Sequence, residues 1–178
     1  MSTSQLAILA QILLPSPNSL SLDDFQLTND TLELYVSSRE LAARCTTCGV
    51  LAERVHSRYR RRLLDLSFCG RTIRIHWTVR RFFCDGPDCP KITFAEQLPD
   101  FTWRYARKTQ RLVEKLHQVG LETGGEAGKR IAEIFDIAIS GDQLIRLVRT
   151  SQAQEQPTPK VLGMDDWAWR KDYASIFL

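Results

Sequence analysis

The sequence predicts an α+β fold: a small antiparallel β module, then a helical region, then two short strands. Three observations carry this. Thr72-Ile-Arg-Ile-His-Trp-Thr-Val-Arg80 alternates, with Ile73, Ile75, Trp77 and Val79 on one face, the period of a half-buried strand. Two cysteine pairs, Cys45-x2-Cys48 and Cys84-x4-Cys89, sit in turn-like sequence on either side of it. Beyond Pro99 the apolar spacing changes to that of helices.

Taken in order, Leu6–Leu14 is a short apolar run that lacks a basic lead and ends in Pro15-Ser-Pro17. It reads as an amphipathic or packed helix, not as an export signal. No run approaches the roughly 18 apolar residues that would span a membrane, and a reducing cytoplasm is the expected setting. Residues 20–40 read as strand-rich, with Leu32 and Leu34 on one face and a phase shift expected at Tyr35. Arg54–Leu66 offers a further strand carrying Val55, Tyr59 and Leu63 among arginines, and Gly70-Arg71 marks the turn into the alternating strand. Cys69 is expected to be a small strand residue beside that turn. His56 and His76 are expected as surface or core imidazoles, not ligands.

From Thr102 to Val119 the spacing of Trp103, Ala106, Leu112, Val113, Leu116 and Val119 predicts a helix, with Arg104, Arg107, Lys108, Arg111 and Lys115 as a basic stripe. Gly120 and Gly124-Gly125 are expected to break the chain before two short helices near 126–135 and 141–150. Ser140-x-x-Gln143 has the capping-box pattern at the second start. Paired in this way they suggest a helix-turn-helix, with Ala127, Ile131, Ile134 and Phe135 packing beneath Leu144, Ile145, Leu147 and Val148. Gln143, Arg146 and Arg149 would then face outward to DNA. A polar linker at 152–160 precedes two short strands, Val161–Met164 and Tyr173–Leu178, around Asp165 and Asp166. The organisation expected is 1–40, helix and strand entry; 41–98, metal-binding β module; 99–151, helical DNA-binding region; 152–160, linker; 161–178, a final strand pair.

Thiolates two to four residues apart close around one tetrahedral zinc, and two such knuckles supply a structural site. Cys45, Cys48, Cys84 and Cys89 are therefore the expected zinc ligands. The 35 residues between the pairs exclude a compact two-Cys, two-His finger and suit a ribbon with an inserted hairpin. In a reducing compartment paired cysteines more often hold metal than disulfides. The net charge of +3 hides an asymmetry: residues 1–40 carry one Arg against five acids, and residues 41–150 carry 20 Lys/Arg against 12 acids. Guanidinium pairs bidentately with phosphate. Arg58, Arg60, Arg61, Arg62, Arg80 and Arg81 are the expected phosphate contacts, joined by Arg104, Arg107, Lys108 and Arg111 of the stripe.

In this order the motifs resemble the N-terminal portion of an ISL3-family bacterial transposase. The matching stretches are Cys-Thr-Thr-Cys-Gly at 45–49, Val-His-Ser-Arg-Tyr-Arg-Arg at 55–61, Asp65-Leu66 and Val-Arg-Arg-Phe-Phe-Cys at 79–84. Phe94-Ala-Glu96, Gly124-Gly-Glu-Ala-Gly128 and Leu162-Gly-Met-Asp-Asp-Trp-Ala-Trp-Arg-Lys171 continue the match. The resemblance implies a zinc domain and a helix-turn-helix that read the terminal inverted repeats of an insertion element in double-stranded DNA. It also implies that residues 161–178 are the first two strands of an RNase H-like DDE domain, with Asp165 as the first metal-binding acid. Mg²⁺ would serve only a full-length catalytic form. No residue here matches the other two acids, so the chain is expected to be truncated before most of the catalytic domain and not an enzyme as it stands. Nucleoid association follows, and a homo-oligomer is compatible with the reading. The alternative is a stand-alone zinc-ribbon/helix-turn-helix regulator or repressor of transposition.

Overall fold

The computed structural model describes residues 3–150, 164–169 and 172–177, with side chains from Gln5 to Thr150. The linker expected at 152–160 and residues 161–163 lie outside the described residues. Helix α1 (Thr3–Leu13) leads into strands β1 (Leu20–Leu27) and β2 (Thr31–Ser38). The short strands β3 (Ala43–Arg44) and β4 (Leu51–Ala52) precede the long hairpin β5 (Val55–Phe68) and β6 (Arg71–Phe83), and β7 (Thr93–Ala95) follows it. Helices α2 (Gln110–Ile134) and α3 (Gly141–Thr150) and strands β8 (Met164–Trp169) and β9 (Asp172–Phe177) complete the order.

The alternating strand is β6, and it is the centre of a five-stranded sheet ordered β1-β2-β6-β5, with β7 on the far end of β6. Ile73, Ile75, Trp77 and Val79 are all buried on its core face, as the alternation requires. β2 pairs with β6 in parallel, from Thr31 opposite Thr72 to Ser37 opposite Thr78. The sheet therefore runs across the boundary expected near residue 40, and the strand entry is part of the β module. On β2 the alternation continues without a phase shift: Leu32, Leu34 and Val36 are buried in turn. Tyr35 instead faces the opposite side, stacked on His76 with ring centroids 4.7 Å apart.

The core on this face joins Ala10, Leu13 and Leu14 of α1 and its exit to Leu20, Leu34, Leu63, Ile75 and Trp77. Phe101 packs edge-on to Trp77 at 5.6 Å, and the indole N–H donates to Ser38 Oγ (3.2 Å). At the other end of the hairpin, Cys69 and Gly70 both have positive φ (51° and 68°). With Phe68 paired to Arg71 they form a two-residue turn of the kind that matches strand twist. Cys69 is thus an exposed turn residue and not a strand residue.

The predicted helix over 102–119 starts late. Leu64 N–H donates to Arg107 O (2.9 Å) and Thr109 N–H to Leu64 O (3.0 Å), so residues 107–109 run along the edge of β5. Thr109 then caps α2, its side chain accepting from Leu112 N–H. Backbone pairing to the sheet takes the donors and acceptors a helix there would use. Arg104, Arg107 and Lys108 consequently sit in a loop, off any helical stripe.

Asp65 fixes this junction. It is 1% exposed and accepts from Thr109 Oγ1 (2.6 Å) and Arg111 Nε (2.9 Å). Arg111 also donates to Leu13 O (2.8 Å), tying α1 to the same point.

α2 continues past Gly120 and kinks at Gly124, whose φ of 73° is non-helical. Gly128 lies against α3: a Cβ there would meet Leu144 Cδ1 at 3.0 Å. The glycines expected as breakers are mostly close-approach positions. The second core gathers Leu112, Leu116, Ala132, Ile137, Ile139 and Leu144. Ile134 and Phe135, expected beneath α3, are exposed, because the helical phase that follows the kink places Ala132 inward. The capping box at α3 forms reciprocally: Gln143 N–H donates to Ser140 Oγ (3.2 Å), and Ser140 N–H to Gln143 Oε1 (3.3 Å).

β8 and β9 pair antiparallel, with Asp165 opposite Ile176 and Asp166 opposite Ser175. Both aspartates lie inside β8, not after a strand ending at 164, since Trp167 and Trp169 carry strand propensity beyond them.

Replacing Asp65 with alanine leaves Arg111 and Thr109 without their shared acceptor. The chain should lose about 3 kcal/mol, the low end for a broken buried pair because Arg111 retains some water contact. Urea denaturation measures it.

Candidate metal centre and basic surface

The first knuckle forms where β3 turns into β4. Cys45 N–H donates to Val50 O (2.9 Å), Gly49 N–H donates to Cys45 O (2.9 Å), and Gly49 takes a φ of 74°. The second follows β6 directly: Cys84 N–H donates to Ile92 O (2.9 Å) and Cys89 N–H to Gly86 O (3.2 Å). A Cβ at Gly86 would meet Cys48 Sγ at 3.0 Å, so glycine lets this turn close over the sulfur.

The structure brings all four sulfurs within 4.8 Å of one another. Cys48 and Cys84 are 3.5 Å apart and Cys45 and Cys89 3.9 Å. A tetrahedron with Zn–S bonds of about 2.3 Å has edges of about 3.8 Å, so the donor set fits zinc. The N–H groups of Cys48 and Thr47 point at Cys45 and lower its thiol to about 6, against burial. The Gly86 N–H favours a Cys84 thiolate, yet burial and the neighbouring sulfurs push that thiol up to about 12. Four thiolates this close require a cation. Around them Cys45, Ala52, Phe82 and Phe94 form a third small core, with Phe82 stacked on Phe94 at 5.9 Å. Neither His56 nor His76 belongs to the cluster.

The predicted arginines divide. Arg80 donates to Glu96 Oε2 through Nη2 (2.6 Å) and to Glu40 O (2.6 Å); Glu96 is buried. Arg111 is held by Asp65. Arg61 lies over Trp77 (5.5 Å) and donates to Trp103 O (3.0 Å) and Ala106 O (2.6 Å). Gln143 serves the α3 cap. These four side chains do internal work that spacing did not reveal. A lone buried acid among arginines, Asp65, was the available signal for one such pair; Glu96 gave none.

Arg58, Arg60 and Arg62 alternate onto the face of β5 away from the main core, opposite Arg80, Thr78 and His76 of β6. All three are exposed, and none has a carboxylate partner among the described residues. Arg60 lies over Tyr35 (5.4 Å), which stacks on His76. Arg81, Arg104 and Arg107 are exposed near the zinc end and the 101–109 loop, with Lys108 partly covered. Arg146 and Arg149 are exposed on α3. Asp165 has a described backbone only.

His76 is buried beneath this face, and neither ring nitrogen completes a hydrogen bond. Burial holds its pKa below the usual value; Glu33, 3.3 Å from Nε2, opposes this, and Arg62 and Arg60 reinforce it.

Two knuckles that bring four thiols together at the end of a β-hairpin define a zinc-ribbon-type module. Residues 42–89 match the family described as the zinc-finger of transposase IS204/IS1001/IS1096/IS1165. The chain is also similar to the transposase for insertion sequence element IS1001 of Bordetella parapertussis, 26% identical over 148 residues. That alignment covers 82% of this chain and 36% of the relative, so the chain spans about a third of the relative's length. No solved structure matches. The two matches support an ISL3-family transposase sequence, and the ribbon match with the four-cysteine cluster supports structural zinc. Among the described residues no helix is long and apolar enough to cross a membrane.

Chelation should dissolve the Phe82–Phe94 cluster and loosen the open end of the hairpin, since zinc supplies roughly 10–16 kcal/mol of apparent binding free energy to such modules. Loss of near-UV circular dichroism on chelator addition, reversed by zinc, checks this. A second test concerns His76. Its lowered pKa means the unfolded chain binds more protons, so its contribution is present above pH 6.5 and is lost as pH falls. His76→Phe should flatten the decline of the urea midpoint between neutral and mildly acidic pH.

Proposed function

We infer that residues 1–150 are a DNA-binding unit of a transposase, and that its target is double-stranded DNA at the ends of an insertion element. The observation that carries this is the open face of β5. Arg58, Arg60 and Arg62 stand there on a rigid strand, each exposed and unmatched by a carboxylate among the described residues. Guanidinium groups held at strand spacing present a row of donors to a phosphate backbone. Arg146 and Arg149, on the exposed side of α3, extend the positive surface. α2 after its kink, the turn and α3 serve as a helix-turn-helix in this reading, with α3 toward the groove. Arg81, Arg104, Arg107 and Lys108 line the neighbouring surface, whereas Arg61, Arg80 and Arg111 support it from within.

Zinc in this reading shapes the surface and takes no part in chemistry: Cys45, Cys48, Cys84 and Cys89 hold it. Asp165 is proposed as the first acid of a DDE site. The 178 residues supply no match for the other two acids, so strand cleavage by these residues alone is not expected, and Mg²⁺ belongs to a longer catalytic form. A cytoplasmic, nucleoid-associated location follows from the same partner.

The triple change Arg58→Ala, Arg60→Ala, Arg62→Ala tests the proposal, since these side chains are not tied to a carboxylate among the described residues. Duplex affinity should fall, and the slope of log K against log salt should flatten by up to about 2.7, three phosphate contacts at about 0.9 each. Titration by fluorescence anisotropy at several salt concentrations reads both. An unchanged slope removes the strand face from the interface.

A further inference from the structure

The other face of the same hairpin ends in a groove that the arginine row does not account for. Its volume is about 540 Å³, and its walls include Thr46 and Lys91 from the knuckle region, Tyr59, Arg61 and Arg81 from the sheet, and Tyr105. Tyr59 pairs with Val79, Arg61 with Trp77 and Arg81 with Ser57, so these side chains lie on the core face of β5–β6. The main core covers that face as far as Val79. The groove lies where this cover runs out, between the zinc end and the 101–109 loop.

Its chemistry is mixed in a particular way. Two tyrosines and several cations line it, and no carboxylate does. Arg81 has no ion-pair partner among the described residues. Tyr105 is 80% exposed and has a φ of 64°, a conformation that large side chains rarely adopt. Arg61 holds the turn that carries it by donating to Trp103 O and Ala106 O. Arg104 lies over the Tyr105 ring (4.7 Å) and donates to its hydroxyl (2.7 Å). A strained, exposed aromatic that is clamped from the sheet is a positioned group.

The volume is that of a pocket for a small ligand, about 300–1,000 Å³, which suits about one or two nucleotides and excludes a base-paired helix. Exposed rings stack bases whatever their sequence, and adjacent guanidinium and ammonium groups take the phosphates between them.

We propose that this groove binds unpaired nucleotides of single-stranded DNA, with bases stacked on Tyr59 and Tyr105 and phosphates held by Arg81 and Lys91. The proposal rests on the DNA-binding reading above and adds a second subsite, which meets the arginine row at the edge of β5 around Arg61 and Tyr105. It gives one hairpin two DNA surfaces, a duplex face on Arg58, Arg60 and Arg62 and an unpaired-strand groove behind it.

The test uses the zinc-loaded full chain with two probes, a short blunt duplex and the same duplex carrying a thymidine overhang. The overhang should improve affinity about tenfold, the scale of stacking one base on an aromatic ring. Tyr59→Leu with Tyr105→Leu should abolish that preference while blunt-duplex affinity stays within about twofold of the unsubstituted chain. Tyr59→Phe with Tyr105→Phe should keep it. A 2-aminopurine in the overhang should be quenched on binding in the unsubstituted and Phe forms and not in the Leu form. Equal affinity for the two probes, or a preference that survives in the Leu form, overturns the groove proposal. Absence of binding to either probe overturns the DNA-binding reading itself, so the two failures are distinguishable.

Discussion

Four sulfurs within 4.8 Å of one another fix where both long strands begin and end. Cys84 follows Phe83 at the end of β6, and the Cys45 knuckle precedes β5 by way of β4. The hairpin is therefore closed twice, by the Cys69–Gly70 turn at one end and by the thiol cluster at the other. A strand pair of this length would otherwise fray at its open end. Because β6 also pairs with β2 and β7, closure of the hairpin holds the middle of the whole sheet. The small cluster of Phe82, Phe94 and Ala52 has little apolar surface of its own, which is why a metal is the natural source of its stability.

Positive charge in this chain has two different destinies, and the sheet decides between them. Arg61, on the core face of β5, and Arg111, at the sheet edge, find acceptors in two loop carbonyls and Asp65, while Arg80, on the same face as Arg58, is taken up by the buried Glu96. Each of these cations positions something: Arg80 ties the 40–41 turn to β6, Arg111 ties α1 and α2 to β5, and Arg61 ties the Tyr105 loop to the sheet. The arginines of the other parity on β5 remain available to a partner. Alternation along one strand thus sorts neighbouring residues 60, 61 and 62 into two functions.

Much of this was legible in local sequence. The cysteine spacing marked the ligands, the period of two over 72–80 marked the core face of β6, and Ser140-x-x-Gln143 marked the start of α3, because each depends on residues close together in the chain. What was not legible depends on contacts between distant segments. The parallel pairing of β2 with β6 joins residues about forty apart and has no local signature. The late start of α2 follows from Leu64 bonding to residues 107 and 109, which overrides a good helical period. Gly120 and Gly125 read as breakers, since a glycine's packing role appears only when the facing helix is known.

The same geometry explains why the candidate surfaces are precise although several of them lie on loops. The 101–109 segment has no regular structure, yet its ends are fixed by Phe101 against Trp77 and by Thr109 at Asp65, and its middle by Arg61. α3 is fixed through close packing on α2, and α2 is fixed at its first turn to β5. Every basic element is thus referred to the same hairpin. If the hairpin's open end were released, the strand face, the groove and the distance between them would all be lost together, whereas α2 and α3 would keep their own core of Leu112, Leu116, Ala132 and Leu144. Zinc in such an arrangement governs the shape of the surface offered to a partner far more than the survival of the helices.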